Sequence, residues 1–431
     1  MNLNAIVIKK FLAFFVIVFF VTLESYANKK DIYLSLSVKE EKFNIALDFF
    51  LKDKNYNTIK YAKLLREIVE RDFVLSGYFN IVQKLSQRNK ILSALFIVSV
   101  SSENKAGNLV FEPKLIDMNT GETIWSRKYI DKYENYRYIA HKFSDEIVEE
   151  IIGEIGIART KIVFVNDCTG FKELYMLDYD GYNLRRLTKD NRINILPKWS
   201  TTGELIIYTS YLYNNPDLFA LNIFNKKIKN ISKYQGLNVT GSFTPDNKKI
   251  ILTLSRGKYP NLYLIDTNGV ILRKITNDLC INTSPSFAPN GQEIVFISDR
   301  TGYPQLYIMN IDSGNIRRLA TNGLCDSPAW SPCGDKIVFT MKYKTEHYNI
   351  YIYDLFTTKI TKLTNNQGNN ENPSWSPDGR FVVFCSSRSG KGEIYILDIK
   401  KLETRKLTEI SGTSYTPAWS PVFKNKNKKD L

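Results

Sequence analysis

A single aromatic position recurs six times along this chain, each copy 44 residues after the previous one. Every copy lies inside a short apolar run that ends in Asp or Asn, such as Gln305–Asn310. Runs rich in β-branched and aromatic residues and closed in this way are typical of strands that end in turns. A repeat of roughly 20 to 50 residues indicates one supersecondary unit copied side by side, and so restricts the fold more than any local signal. The six positions are Tyr175, Phe219, Tyr263, Tyr307, Tyr351 and Tyr395.

A second aromatic position alternates with the first, at spacings of 44, 44, 43, 45 and 44 residues. A turn sequence follows it, seen most clearly in Ser376–Gly379 (Ser-Pro-Asp-Gly), where proline presets φ and Asp-Gly permits a tight hairpin. An apolar strand, the strand of the first aromatic position and a short basic strand come next. Each repeat therefore predicts a four-stranded antiparallel sheet, and the second positions are Trp199, Phe243, Phe287, Trp330, Trp375 and Trp419.

Sheets of this kind bury both faces when they stack radially, which predicts a six-bladed β-propeller over residues 161–421. The repeats open at Lys161–Val165 without an aromatic anchor before them, and they close at Trp419 without strands after it. We therefore expect the strand at 413–419 to pair with the 161–188 meander, which closes the ring and removes an exposed sheet edge. An open solenoid or two separate sheets are the alternatives, but they give the half-repeat offset no role.

The first 27 residues have the pattern of a cleaved export signal. Two lysines precede the 13-residue apolar run Phe11–Leu23, which is short for a membrane span, and Ser25 and Ala27 supply the small residues of a cleavage site. We expect an exported mature chain that begins near Asn28. An uncleaved membrane anchor is the alternative.

Residues 28–155 lack the 44-residue repeat and predict an α/β domain, so the fold class is α+β overall. Apolar residues follow helical periodicity in residues 59–69 and again in residues 139–152, before Gly153. A hairpin is predicted through Asn119–Glu122, and residues 156–160 form a short linker to the propeller. The strand-like runs are Ile32–Val38, Ala94–Val100 and Leu109–Ile116.

The formal net charge is +15, and a basic balance of this size first suggests nucleic acid. The basic residues are dispersed over the repeats, however, and an exported protein rarely meets nucleic acid. A contact with an anionic envelope polymer remains an alternative. Residues 422–431 are basic and are expected to be a disordered tail.

Few residues point to catalysis, a metal or a cofactor. The five cysteines are odd in number and form no CxxC pair, which argues against a zinc site and a dense disulfide framework, although a Cys325–Cys333 bridge is conceivable. His141 and His347 are the only histidines, and both are more typical of surface or hydrogen-bonded residues than of ligands. Ser102–Lys105 matches SxxK, but its polar context indicates a loop. We expect no enzyme activity, no cofactor and no metal.

The first residues of the six inner strands should surround one mouth of the propeller channel. They are mostly polar and hydrogen-bonding, which favours a docking surface for a protein over a reaction centre. A rim that is merely solvated is the alternative. The rim residues are residues 194–196, 238–240 and 282–284, with Asp326, Ser327, Glu371, Asn372, Tyr415 and Thr416.

This organisation resembles the TolB family, periplasmic proteins of the Tol-Pal system. Tyr179–Asn183 is similar to a family segment after the first tyrosine strand, and Tyr138–Ile147 followed by Ala158–Phe164 is similar to the family's domain junction. Pro417–Pro421 resembles the family's C-terminal end. The resemblance covers essentially the whole chain after the export signal.

The resemblance implies a non-enzymatic, monomeric periplasmic protein that supports outer-membrane integrity and invagination at cell division. It implies that a Pal lipoprotein docks across the propeller mouth, that TolA binds the first residues of the mature chain, about Asn28–Leu36, and that other outer-membrane proteins are further partners. Together with the rim, the expected Pal contacts are Leu237, Asn238, Thr283, Ser284, Asp326, Glu371 and Tyr415. The expected TolA contacts are Asn28, Lys29, Lys30, Asp31, Ile32, Tyr33 and Leu34.

Three positions depart from the family pattern. The first domain is short between Gln83 and Leu95, Gly241 replaces a proline beside the expected Pal surface, and Cys333 stands where the turn usually has Asp. Two other functions compete with this interpretation. A propeller can gate a peptidase of the prolyl-oligopeptidase type, but no segment here supplies the hydrolase domain. A propeller can also bind envelope carbohydrate through exposed tyrosines.

Overall fold

The computed structural model describes residues 42–82, 94–277, 279–365 and 367–423, and the chain divides into two compact units, residues 1–156 and 157–431. The predicted export signal, the predicted strand Ile32–Val38 and the expected TolA segment Asn28–Leu36 lie outside the described residues. Among the described residues, no helix combines the length and the apolar character needed to cross a membrane.

The first unit packs two helices against one sheet. The sheet order is β2-β1-β3-β4-β5, with β6 also paired to β4; β1 is parallel to β2 and β3, and the other pairs are antiparallel. The elements are β1 (Phe43–Leu51), α1 (Tyr56–Ser76), β2 (Phe79–Val82), β3 (Phe96–Lys105), β4 (Asn108–Asp117), β5 (Thr123–Ser126), β6 (Tyr129–Asp131), a 3₁₀ turn (Tyr133–Asn135) and α2 (Tyr136–Ile152).

Both predicted helices form, and local chemistry sets their ends. The Asn55 side chain caps α1 by accepting from the backbone N–H of Asn57, and glycines in the left-handed region, Gly77 and Gly153, end α1 and α2. The apolar faces of both helices join a core with the sheet, although Ile59, predicted to lie on the buried face of α1, is 46% exposed. The α/β character of this unit was therefore predicted correctly.

Two predictions about polar residues in this unit resolve differently. Ser102–Lys105 was predicted to be a loop, but these residues form the end of β3 and pair with β4, so the SxxK match is part of a sheet. His141 is buried in α2, and its Nδ1 lies 2.8 Å from the Asp72 carboxylate of α1. This hydrogen-bonded pair joins the two helices, which is a structural role.

The second unit is the predicted six-bladed propeller, with four antiparallel strands in each blade. We number the blades in chain order and call the last one the closing blade. The first blade comprises β10 (Asn194–Trp199), β11 (Leu205–Ser210), β12 (Asp217–Asn222) and β13 (Ile228–Ser232), and the second β14 (Asn238–Phe243), β15 (Lys249–Leu254), β16 (Asn261–Asp266) and β17 (Ile271–Lys274). The third comprises β18 (Asn282–Phe287), β19 (Glu293–Ser298), β20 (Gln305–Asn310) and β21 (Ile316–Arg318).

The remaining blades repeat this plan, and the closing blade joins the two ends of the unit. Its inner strand β30 (Ser414–Trp419) pairs antiparallel with β7 (Lys161–Asn166), with Trp419 opposite Ile162, so the predicted closure is confirmed. The fourth blade comprises β22 (Leu324–Trp330), β23 (Lys336–Lys342), β24 (Asn349–Asp354) and β25 (Ile360–Lys362), and the fifth β26 (Asn370–Trp375), β27 (Phe381–Ser386), β28 (Glu393–Asp398) and β29 (Glu403–Lys406). The closing blade comprises β30 (Ser414–Trp419), β7 (Lys161–Asn166), β8 (Glu173–Asp178) and β9 (Arg185–Arg186).

Each central strand buries both of its faces, one against each neighbouring blade. In β19, Ile294 and Phe296 pack with apolar residues of the second blade, whereas Val295 and Ile297 pack with those of the fourth. This is why these strands are continuously apolar and do not alternate with polar residues. All six aromatic residues of the 44-residue repeat are buried, with between 2% and 8% of their surface exposed.

Of the four tryptophans at the second aromatic position, two link neighbouring blades by hydrogen bonds. The indole N–H of Trp199 donates to the Ala418 carbonyl at 3.0 Å, and that of Trp375 donates to the Ala329 carbonyl at 3.0 Å. In the closing blade the indole of Trp419 donates to the Thr160 hydroxyl at 2.9 Å. A buried indole needs an acceptor, and here each acceptor lies on another strand of the ring or at its entrance.

The structure corrects the predicted start of the basic tail and decides whether two of the cysteines are joined. Phe423 was assigned to a disordered tail, but it is buried against Trp199, with ring centroids 5.9 Å apart. All five cysteines lie within the described residues and are present as thiols, so the conceivable Cys325–Cys333 bridge does not form. In the turn where Cys333 replaces Asp, the carboxylate of Asp335 accepts the hydrogen bond of Ser331 at 2.8 Å and substitutes for the missing side chain.

Truncation of one repeat tyrosine should destabilise the propeller strongly. Tyr307 is 3% exposed and packs on Phe296 and on the second blade, so Tyr307→Ala should lower the free energy of unfolding by about 3–5 kcal/mol. Tyr303→Ala is the matched control, because Tyr303 is 42% exposed, and it should change the free energy by about 0.5 kcal/mol or less. Urea denaturation measures both, and equal losses would contradict a core role for Tyr307.

Candidate functional site

The candidate site lies where the six inner strands begin, at one mouth of the propeller. In every blade the backbone N–H of the first buried residue of the inner strand donates to the carbonyl just before the preceding tyrosine strand, for example Asn238 to Pro216 at 3.0 Å and Asn282 to Pro260 at 3.0 Å. Because the same bond recurs in all six blades, the strand starts lie at the same end of the ring. The predicted Pal contacts of the rim are therefore brought to one end of the propeller.

A β-bulge interrupts each inner strand just after its start, as between Thr283 and Ser286. At the bulge five blades place a non-glycine residue in the left-handed region, which is an uncommon conformation for such residues. The bulge turns the strand, so that the residues before and after it face different surroundings. The five residues and their φ angles are Leu196 (55°), Ser284 (53°), Ser327 (48°), Asn372 (55°) and Thr416 (41°).

Asn238 was predicted to contact a partner, and the structure places its side chain in the interior of the protein. Asn238 is completely buried. Its amide oxygen accepts from the Ser232 hydroxyl at 2.6 Å and the Tyr234 N–H at 3.1 Å, while its amide nitrogen donates to the carbonyls of Pro216, Tyr234 and Gly236. The side chain thus holds the loop before β14, and the buried Asn194, Asn282 and Asn370 occupy the same position in three other blades.

In the first four blades, the residue just before the first buried residue of the inner strand faces solvent. In four consecutive blades this residue is a large aliphatic side chain, and we call the set the mouth arc. Its backbone is fixed in the first three of these blades, because the carbonyl accepts from the end of the neighbouring strand, as in Ser255 N–H to the Leu237 carbonyl at 3.2 Å. The mouth arc comprises Ile193, Leu237, Ile281 and Leu324, which are 43%, 38%, 43% and 41% exposed.

Sequence reasoning found only Leu237 of this set. The missed signal is the spacing, because the four residues recur at intervals of 44, 44 and 43. Three of them directly precede a polar residue that was taken to be the rim, and Leu324 precedes Cys325. Leu279, two residues before Ile281, is 86% exposed and extends the apolar surface. The corresponding residues of the fifth and closing blades are Asn369 and Thr413, so the apolar surface covers one side of the mouth only.

The other predicted contact residues lie beside the mouth arc and differ in how exposed and how firmly held their side chains are. Thr283 and Ser284 are half-buried, and the Thr283 hydroxyl lies 3.4 Å from that of Thr253 in the next blade. Asp326 is exposed, and its carboxylate accepts the N–H of Ser327 at 2.7 Å. Tyr415 is half-buried, with its hydroxyl donating to Asp167 at 3.0 Å, so this ring is held in place.

Three charged residues of the inner strands interact in and around the channel. Burial lowers the pKa of Lys198, and the nearby Asp326 carboxylate opposes that effect. Burial also raises the pKa of Glu371, and the like charge of Asp326 raises it further. The inner strands therefore carry an acidic pair, Asp326 and Glu371, on the fourth and fifth blades and a lysine on the first.

A steric constraint in the second blade explains the glycine at position 241, where the family resemblance leads us to expect proline. A Cβ atom at this position would lie 1.8 Å from the carbonyl oxygen of Ile251, so only glycine fits the backbone as it runs here. The inner strand β14 therefore approaches β15 more closely than a side chain would permit. This close approach of the two strands accounts for the glycine at position 241, near the expected contact Leu237.

The mouth has physical features on which a polypeptide could dock. It combines exposed aliphatic area, a charged channel and backbone fixed by repeated hydrogen bonds, which together suit a folded or extended polypeptide. The buried thiols nearby do not favour covalent chemistry, because burial raises the pKa of Cys325 to about 11 and that of Cys385 to about 12. A thiol in this state is protonated at neutral pH and is a poor nucleophile.

The raised pKa of Glu371 predicts a pH-dependent cost in stability. A carboxyl group whose pKa is higher in the folded than in the unfolded protein stabilises the fold at low pH, and this contribution is lost as the pH rises through the folded pKa. Glu371→Gln should therefore raise the melting temperature at pH 7, and the gain should vanish below about pH 4.5, the ordinary pKa of a glutamate. Melting curves between pH 4 and pH 8 test this, with the exposed Glu403→Gln as control, and a gain that grows toward low pH would contradict it.

Comparison with known proteins places this architecture. The family model described as the TolB beta propeller domain matches residues 148–325 and 320–426. The chain is 33% identical to the Tol-Pal system protein TolB of Desulfosudis oleivorans over 132 residues, 31% of this chain and 30% of that protein. It is 32% identical to a TolB homolog of Chlorobaculum tepidum over 176 residues, 38% of this chain and 40% of that protein. The chain thus spans about 30–40% of the length of these curated relatives.

The fold is also similar to a solved structure. The crystal structure of TolB from Acinetobacter baumannii matches 88% of this chain and 97% of its own with a TM-score of 0.78, at 24% identity, which supports the shared fold alone. The family model covers most of the chain, including all six blades. The chain therefore belongs to the TolB beta-propeller family.

Proposed function

We propose that this chain is a non-enzymatic, periplasmic docking component of a Tol-Pal system. Its propeller mouth captures a Pal-like lipoprotein, and the first residues of the mature chain, Asn28–Leu34, bind TolA. Through these two contacts it supports outer-membrane integrity and invagination at division. Membership of the TolB family supports the assignment to a Tol-Pal system. The mouth arc supports the assignment of the propeller mouth as the docking surface.

The observation that carries the proposal is the mouth arc. Four aliphatic side chains, each with roughly two fifths of its surface exposed, stand on consecutive blades around a rigid opening. Aliphatic side chains on a backbone fixed by hydrogen bonds lose little conformational freedom when a partner covers them, so their burial contributes to affinity with a small entropic cost. Leu237 and Ile281, in the middle of the arc, are the candidates for the largest individual contributions.

The charged groups beside the arc would add specificity. Asp326 is exposed next to Leu324, and Glu371 follows on the fifth blade, so a partner that carries basic groups at the matching side of its surface gains complementary contacts. A partner with acidic groups there would be repelled. Charge and apolar area together therefore favour one orientation of the partner over the six that the ring would otherwise allow.

Charged substitutions in the middle of the mouth arc should abolish capture. The double variant Leu237→Arg with Ile281→Arg should weaken binding of a purified Pal-like lipoprotein domain at least ~100-fold, because two charges would be buried without partners. Isothermal titration calorimetry measures the affinity. Phe356→Arg is the matched control, since Phe356 is 84% exposed in the turn after β24, at the opposite end of the blade.

The control variant should bind as the parent does, and thermal melting should show that both variants are folded. Equal affinity of the parent and the double variant would show that the mouth arc is not the docking surface. Loss of binding in the control as well would point to a surface elsewhere or to a general effect of added charge.

Removal of the first residues of the mature chain should separate the two partners. A variant lacking residues 28–36 should lose binding to a TolA domain and keep its affinity for the Pal-like domain within about threefold. Pull-down with each purified partner measures both effects. A variant lacking residues 424–431, a deletion of similar length at the other end, should retain both partners, and undiminished TolA binding after the first deletion would refute the assignment.

A further inference from the structure

A groove of about 740 Å³ lies along the outer strand of the first blade. Its side chains are not those of the mouth arc, but the loop after β13, which lines it, leads to Leu237 of the arc. It is bounded by the loop between β11 and β12, by the outer strand β13 and the loop after it, and by the turn between β16 and β17 of the second blade. Its volume is in the range of small-molecule sites. The lining residues are Tyr213, Asn215, Asp217, Asn230, Ile231, Lys233, Gln235 and Asn268.

The floor of the groove is a carboxylate held by two amides. Asp217 is buried and accepts from the Asn215 side chain at 2.6 Å and from the Asn230 side chain at 3.3 Å. Asn215 is fixed in turn, because its nitrogen also donates to the Tyr234 carbonyl at 3.1 Å and its oxygen accepts the Gly236 N–H at 3.2 Å. The polar groups are thus positioned before any ligand arrives.

One group in the floor has an unmet hydrogen-bonding capacity. The side-chain oxygen of Asn230 is buried, and within the described part of the chain it has no hydrogen-bond partner. A buried acceptor without a donor is uncommon in folded proteins and calls for a bound water or ligand. Since the Asn230 amide is joined to Asp217 by a long bond, it can turn slightly to receive a hydroxyl donor from the groove.

The edge of the groove carries an aromatic platform. Tyr213 is 67% exposed, and its ring lies 6.1 Å from that of the buried Phe219, which supports it from below. One acidic and one basic residue, Asp217 and Lys233, leave the lining without net charge. The site therefore offers a hydrophobic ring face, amides and a carboxylate to a ligand that is itself uncharged.

We propose that this groove binds a neutral saccharide of one or two hexose rings. The apolar face of a pyranose ring packs on an aromatic ring, and its hydroxyls, which donate and accept, match carboxylate and amide groups. A peptide would offer donors and acceptors too, but it would leave the Tyr213 platform unmatched unless it carried an aromatic residue. The groove uses other side chains than the mouth arc, so it would give the protein a second, carbohydrate contact beside its protein partner.

Saturation-transfer NMR on the purified chain tests the proposal with maltose, cellobiose and N,N′-diacetylchitobiose as probes. At least one of these sugars should bind, with a dissociation constant in roughly the millimolar range. Tyr213→Ala should weaken that binding roughly threefold to tenfold through loss of the stacking face, and Asn268→Ala should weaken it in the same direction. Tyr303→Ala, an exposed tyrosine in the corresponding loop of the third blade, is the control and should bind as the parent does.

The outcomes separate this site from the docking surface. Sugar binding that persists in the Leu237→Arg, Ile281→Arg variant supports an independent groove, whichever way the Pal-like domain behaves. No transfer to any of the three sugars, or equal binding by the parent, Tyr213→Ala and Asn268→Ala variants, overturns the proposal. Binding of the tripeptide Ala-Tyr-Ala in place of the sugars, sensitive to Tyr213→Ala, would overturn it in favour of a peptide site.

Discussion

The packing of one blade against the next is the interaction on which the rest of this structure depends. No blade can bury its own central strands, because both faces of those strands are apolar, as in β19, where alternate residues serve the second and the fourth blades. Every blade is therefore stable only between two neighbours. The pairing of β30 with β7 gives the first and last repeats their missing neighbours, so closure is a condition of stability for the whole ring.

Closure also explains why the mouth is rigid. The inner strands contact one another around the ring, and their starts are fixed by a hydrogen bond that repeats in all six blades. The buried Asn238 uses both its amide oxygen and its amide nitrogen to hold the preceding loop. The exposed Leu237 just before it is thus held at a defined place. A buried residue that holds the fold and an exposed residue that is open to a partner therefore lie at adjacent positions in the sequence.

The sequence was a good guide to the fold and a partial guide to the site. The repeat of Tyr307 and its equivalents predicted the blades, because burial on both faces of a strand forces the same residue types to recur at the same interval. It could not separate Leu237 from Asn238, since polar character was taken to mean exposure, and here the polar residue is the buried one. A polar residue is needed at position 238 because its side-chain amide forms hydrogen bonds with backbone groups inside the protein. The repeat spacing predicts where a residue lies along its strand. Whether that residue is exposed depends on the bulge and on the preceding loop, and the local sequence pattern does not define either of them.

The groove beside Tyr213 was beyond sequence reasoning for a different reason. Its residues come from two strands and three connecting segments of two blades, and no spacing links Asp217 to Asn268 before the blades are stacked.

The departures from six-fold regularity are where specificity has to reside. A ring of identical blades would offer a partner six equivalent orientations, and the buried positions here are close to that ideal. The surface is not, because the mouth arc ends after the fourth blade, the acidic pair lies on the fourth and fifth, and the close approach at Gly241 belongs to the second alone. These differences leave the blade packing untouched, since they lie outside the central strands. The same scaffold can therefore keep its stability while its mouth is altered blade by blade, and an unsymmetrical partner can be recognised by a nearly symmetrical fold.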